Sequence, residues 1–167
     1  MTPTCRPAQL EDLKTVCSIL QEAATWLTET GQTLWLLDEL SENTIRGDIT
    51  KGHFHLFEIN GNAVGTLKFQ LEDELFWPDV PQSESAFVHR VAIRRAYSGQ
   101  GLSTQMLEWA VKETRRIQRF HLRLDCVATR PKLRAIYENF GFTHRDDRHV
   151  GEYFVSRFQY DVTWKPS

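Results

Sequence analysis

Near the start of the chain, apolar positions recur at spacings of three and four. Leu10, Leu13, Cys17, Leu20, Ala24 and Leu27 fall on one face, Glu11 and Asp12 occupy the favourable first turn, and Pro7 precedes them. This pattern predicts an amphipathic helix packed on a sheet, with a short strand over residues 3–6 before it. Gly31 interrupts the period, and Trp26, Trp35 and Leu36 crowd into the connection WLTETGQTLWLL ahead of a weaker helix over about residues 38–50. From His53 the period becomes two. HFHLFEI and AVGTLKFQL flank Asn60-Gly61, the signature of a tight antiparallel hairpin with positive φ at its turn.

The polar stretch EDELFWPDVPQSES follows Leu71. A connection of that length is usually functional or mobile, so it is expected either over the mouth of an acceptor site or as a surface excursion. Val88, Val91 and Ile93 then suit a strand, Gly99 and Gly101 a turn, and residues 102–117 a helix with Leu102, Met106, Leu107, Ala110, Val111 and Thr114 inward. HLRLDCVA alternates as a further strand; the intervening helix implies that it runs parallel to the previous strand through a right-handed crossover. Pro131 opens a short helix closed by Gly141, with Leu133, Ile136, Tyr137 and Phe140 as its apolar stripe. The tail alternates Phe154, Phe158, Tyr160, Val162 and Trp164 with polar neighbours such as Arg157 and Gln159, and reads as one long terminal strand. The sum is an α/β chain: a mixed sheet with helices on both faces, folded as one domain over residues 1–167.

Composition narrows the function. A formal net charge of −2 argues against a dedicated nucleic-acid binder. The three cysteines, Cys5, Cys17 and Cys126, have no ligand spacing and suit buried thiols in a reducing compartment. No signal peptide and no stretch long and apolar enough to span a bilayer is evident, so a cytoplasmic protein without a membrane partner is expected. The six histidines form no HExxH or similar pattern, and no metal is expected.

The chemistry gathers in VHRVAIRRAYSGQGLS. A strand, a glycine turn and a helix in that order present unpaired amides and the positive end of a helix dipole to an anion. Residues 98–104 therefore read as a phosphate cradle, although an ordinary strand-to-helix turn permits the same glycines. Three segments together resemble one family, the GCN5-related N-acetyltransferases (GNAT). CRPAQLEDL is similar to the family's opening strand and helix, SGQGLS occupies its (Q/R)xxGx(G/A) positions, and LDCVATRPKLRAIYENFGF matches its later strand, helix and Gly-Phe ending. Two departures stand out: Ser98 replaces the family's Gln or Arg, and Arg130 stands where many members carry asparagine.

The resemblance implies a three-layer αβα fold around a mixed, mostly antiparallel sheet with one splayed parallel strand pair. It implies acetyl-CoA as cofactor, with the backbone of Val91, Ala92 and Ile93 along the pantetheine arm. Amides of Ser98, Gly99, Gln100, Gly101, Leu102, Ser103 and Thr104 are expected on the pyrophosphate, flanked by Arg130 and Leu133, with Arg94 and Arg95 as cationic help. Tyr137 is the expected general acid, protonating the departing thiolate, against the plainer reading of a core tyrosine. His89 is the candidate base, with Glu58, Glu74, Glu84 or a chain of waters as rivals. Trp35 and Trp77 are expected to wall the acceptor site, and the acceptor to be an amine of a small molecule or peptide. The enzyme is read as an N-acetyltransferase, monomer or homodimer; the competing reading is a non-catalytic acyl-CoA-binding module of the same fold.

Overall fold

The computed structural model describes residues 2–29, 35 and 37–162. In chain order its elements are β1 (Thr4–Pro7), α1 (Leu13–Glu29), α2 (Glu42–Thr50), β2 (Phe54–Ile59), β3 (Asn62–Gln70) and β4 (Ser85–Ile93). They continue through α3 (Leu102–Arg116), β5 (His121–Val127), α4 (Pro131–Phe140), β6 (Thr143–Val150) and β7 (Tyr153–Asp161). The strands form one mixed sheet in the order β1-β2-β3-β4-β5-β7-β6, with β4 and β5 parallel. The α3 crossover accounts for that parallel pair; β1 with β2, β2 with β3, β5 with β7 and β6 with β7 are antiparallel. Among the described residues no helix is long and apolar enough to cross a membrane.

The Asn60-Gly61 turn behaves as its sequence predicts. Both residues are left-handed, with φ of 52 and 79, and they join β2 to β3. A second left-handed residue interrupts β4 itself: Arg90 has φ of 55. β4 pairs with β5 from Ser85 opposite His121 to Val88 opposite Leu124, two residues short of that irregularity, whereas β5 stays paired with β7 as far as Val127.

The chain divides into two compact units, Met1–Phe69 with Arg90–Met106, and Gln70–His89 with Leu107–Ser167. In the first, α1 and α2 bury Val16, Ile19, Leu20, Ile45 and Ile49 together with Phe54 and Leu56 of β2. Gly65 of this unit is required by space. A Cβ there would lie 3.0 Å from Met106 Sδ and 3.1 Å from Ala92 O, so only glycine lets β3 approach so closely. In the second unit, Trp77, Val80 and Phe87 form a separate apolar cluster, and α3 buries Leu107, Ala110 and Val111.

Several expectations shift. Leu10 begins a 3-10 turn rather than α1 and is 54% exposed, because the helix starts only at Leu13. α2 starts at Glu42, behind Ser41, whose Oγ accepts from Thr44 N–H at 3.4 Å. The segment THRDDRHV, with no apolar alternation, forms the edge strand β6. β7 is buried on both faces over Val155, Ser156, Arg157 and Phe158, and Arg157 is 0% exposed. Of the Trp26-to-Leu36 connection, residues 30–34 and 36 lie outside the described residues, as does the tail beyond Val162.

Candidate functional site

In the first unit the chain leaves β4 through a self-braced turn. Arg94 N–H donates to Val64 O at 2.8 Å, and a 3-10 turn over Arg95–Tyr97 follows. Ser98 Oγ donates to Arg95 O at 2.9 Å, and Gln100 Nε2 reaches Ala96 O at 3.4 Å. The Ser98 hydroxyl thus stiffens the turn, the job a longer Gln or Arg would otherwise do. Gly99 and Gly101 have φ of 75 and 77, a region side chains adopt only with strain, and a Cβ on either would meet nothing within 4 Å.

Among the described residues no backbone carbonyl accepts from the amides of residues 99–104; the first helical amide to find one is that of Gln105, on Gly101 O at 3.2 Å. Open donors at the start of a 15-residue helix are what a diphosphate requires, and these residues fit one. Leu102 contributes backbone alone, since its side chain is buried. Ala92 is also buried, with Val91 and Ile93 half-buried beside it. Arg94 and Arg95 are committed elsewhere than the sequence suggests. Arg94 donates to Ser18 Oγ at 2.8 Å and lies 3.4 Å from Glu22, and the Arg95 guanidinium covers the Trp26 ring at 5.3 Å. Trp35 is half-buried under the Arg90 guanidinium, 5.3 Å from its ring centre, and Arg90 also pairs with Glu39 at 3.5 Å.

In the second unit, α4 begins at Arg130 as N-cap with Pro131 at its first position, and ends at Gly141 with φ of 124. Leu133 and Tyr137 are half-buried on this helix. The Tyr137 ring packs edge-on against Phe142 and tilted against Phe158, both at 5.9 Å. Its hydroxyl meets no hydrogen-bond partner among the described residues; burial raises the phenol above its ordinary range, with Cys126 and Asp125 adding to the rise. Burial also pushes the Cys126 thiol up to about 12, which leaves it inert as a nucleophile at neutral pH.

His89 is enclosed by carboxylates. Its Nε2 lies 2.8 Å from Asp73 Oδ2 and its Nδ1 3.6 Å from Asp125 Oδ2, while the Phe76 ring tilts over it at 6.0 Å. Glu58 accepts from Arg6 Nε at 2.6 Å, and Glu74 and Glu84 are exposed. Neither Asp73 nor Asp125 was singled out beside His89 by sequence, because one sits in an irregular segment and the other on what alternation marks as an outward position.

Trp77 corrects the sequence reading most sharply. It is 0% exposed and lies between two guanidinium groups, Arg157 at 4.3 Å and Arg123 at 4.9 Å from its ring centre, so it is core and walls no open site. The segment around it is equally fixed. Gln82 Nε2 donates to Trp77 O and Val80 O, and Arg119 Nη1 donates to the carbonyls of Leu71, Gln82 and Ser85 at 2.7–2.9 Å. Arg157 adds a bidentate pair with Asp146 at 2.7 Å, a second with Asp79 at 2.7 and 3.1 Å, and a bond to Phe76 O. A polar sequence has been tied down from three directions.

Comparison with known proteins gives one consistent answer. The family model described as Acetyltransferase (GNAT) family matches residues 16–142. An uncharacterized N-acetyltransferase of Bacillus subtilis (strain 168), YesJ, is 31% identical over 142 residues, covering 81% of this chain and 79% of that protein. A GNAT-family acetyltransferase of Listeria monocytogenes superposes with a TM-score of 0.82 at 24% identity, covering 96% and 95% of the two chains. The PaiA N-acetyltransferase of Thermoplasma acidophilum, solved in complex with coenzyme A, gives a TM-score of 0.74 at 17% identity, covering 96% of this chain and 100% of that one.

Proposed function

The chain belongs to the acetyltransferase (GNAT) family, and from that premise we propose that it acts as one domain moving an acetyl group from acetyl-CoA directly to a primary amine of a small molecule or peptide. The observation that carries this reading is the run of amides from Gly99 to Thr104 with no carbonyl partner, shaped by two left-handed glycines. Acetyl-CoA supplies an activated acyl carbon whose C–S bond breaks as a C–N bond to the amine forms. The amides of residues 98–104 would hold its diphosphate, and the backbone of Val91, Ala92 and Ile93 would bind its pantetheine arm. The family resemblance adds Arg130 and Leu133 of α4 as cofactor-binding residues.

His89 takes one proton from the acceptor ammonium, leaving the neutral amine that attacks. Direct transfer is supported by Cys126, whose suppressed ionisation removes the thiol as an acyl carrier. In this reading Tyr137 would donate to the departing sulfur. A phenol of pKa about 10 is a weaker acid than a thiol of about 8.5, so complete proton transfer is uphill by about 2 kcal/mol, and burial makes it steeper. Tyr137 therefore acts first as a hydrogen-bond donor that stabilises developing negative charge. Its raised pKa keeps that donor protonated across the neutral range.

The test is a panel of small amines and peptides incubated with acetyl-CoA, read as free thiol release. Acceptor-dependent release is expected, falling about 10- to 10⁴-fold in Tyr137→Phe with little change in CoA affinity. CoA binding without release on any acceptor overturns the enzyme in favour of an acyl-CoA-binding module. Unchanged turnover in Tyr137→Phe removes the role of the phenol alone.

A further inference from the structure

Resting on the base role of His89 above, we propose that Asp73 is its positioning residue, fixing the imidazole as the Nε2–H tautomer so that Nδ1 is the atom that accepts the proton. Asp73 has 5% of its side chain exposed and His89 16%. A carboxylate only accepts, so the 2.8 Å contact between Oδ2 and Nε2 requires the hydrogen to sit on Nε2. In the neutral ring Nδ1 then carries the lone pair; at 3.6 Å from Asp125 Oδ2 it is beyond hydrogen-bond reach of that group.

Asp73 is itself held rigidly. Its Oδ1 accepts from Phe76 N–H at 3.0 Å, its own N–H donates to Gln82 Oε1 at 2.6 Å, and its carbonyl accepts from Trp77 N–H at 3.1 Å. The Phe76 ring packs tilted against the imidazole at 6.0 Å and against Tyr153 at 6.0 Å. When Nδ1 takes a proton from the acceptor's ammonium, the ammonium becomes a neutral amine and the imidazole an imidazolium. The new cation lies beside the Asp73 carboxylate, and its extra proton then passes to solvent.

The same three groups place donor atoms within 4.8 Å of one another, a spacing that also admits a cation. Two of those donors, His89 Nε2 and Asp73 Oδ2, already bond each other at 2.8 Å. The geometry is that of a base and its orienting acid.

Asp73→Asn tests this sharply. Because Oδ1 accepts from the Phe76 amide, the amide side chain keeps its carbonyl there and turns its NH₂ toward Nε2, forcing the hydrogen onto Nδ1. Long-range ¹H–¹⁵N correlation on His89 is expected to show Nε2–H in the native protein and Nδ1–H in the variant. kcat for thiol release should fall about 10²- to 10⁴-fold while KM for acetyl-CoA stays unchanged. In a His89→Gln background, Asp73→Asn should produce no further loss, whereas a structural role would reduce activity again. Native His89 in the Nδ1–H form, or an unchanged tautomer and kcat in the variant, overturns the proposal even if the variant is otherwise well folded. Should Asp73→Asn fail to fold, the native tautomer decides alone. Activity lost on chelation and restored by Zn²⁺ overturns it in favour of a metal site. Absence of any acetyl transfer defeats the enzymatic reading but leaves the tautomer measurement to judge Asp73.

Discussion

Two irregular segments with similar polar sequences behave in opposite ways. Residues 98–104 brace themselves through Ser98 and Gln100, yet leave a row of amides open. In residues 72–85 the exposed-looking polar run is bound by Gln82, Arg119 and Arg157, and its central Trp77 is buried. The difference lies in what satisfies the backbone. Unpaired backbone groups persist only where water or a ligand reaches them, so an open row of donors points to an occupant. A segment whose carbonyls are capped by arginine side chains has become part of the scaffold. Length and polarity alone distinguish neither case.

Each half of that contrast can be broken separately. Gly101→Glu puts a side chain at φ 77 and a negative charge against the open amides. It should abolish CoA binding by calorimetry while thermal unfolding shifts only slightly; retained binding removes the cradle. Arg157→Leu should act in reverse, leaving Asp79 and Asp146 only the longer contacts to Arg148 at 3.6 and 3.8 Å. A loss of about 3 kcal/mol is expected, tempered by the partial exposure of both carboxylates. At roughly 2–4 °C per kcal/mol for a chain of this size, the melting temperature should drop by roughly 6–12 °C. A drop under about 2 °C would show that Arg157 contributes little to holding the segment.

Acid supplies the gentlest probe. Hydrogen bonds from Arg157 hold the Asp79 and Asp146 carboxyls below their ordinary range. Their contribution to stability is therefore complete above the unfolded carboxylate value of about 4, and is lost as pH falls through the lowered folded values. Native protein should lose melting temperature progressively below about pH 4, and Arg157→Leu should lose less over the same range. Parallel curves for the two proteins would contradict the pairing.

Much of the fold was legible because local chemistry and tertiary environment agree. Asn60-Gly61, the inward face of α3 and the Pro131 and Gly141 boundaries of α4 all stand as the sequence predicts. β6 was hidden because an edge strand of charged residues carries no apolar period; its signal is its pairing with β7. The burial of Trp77 with Arg157 was hidden because Trp77 lies in a polar connection and Arg157 carries a charge. A guanidinium with two carboxylates and an aromatic face can be buried, and periodicity assigns burial by apolarity. Among the candidate site residues, Tyr137, His89 and the glycine turn were singled out by spacing and resemblance. Asp73 was not, since its pairing with His89 joins residues sixteen apart through a turn only the folded chain reveals.

The most direct measurement is a titration of ¹⁵N-labelled protein with coenzyme A, following backbone amides. The account predicts that Gly99, Gln100, Gly101 and Ser103 move first and furthest, saturating together with the calorimetric binding curve. Tight binding that leaves those amides in place would contradict it.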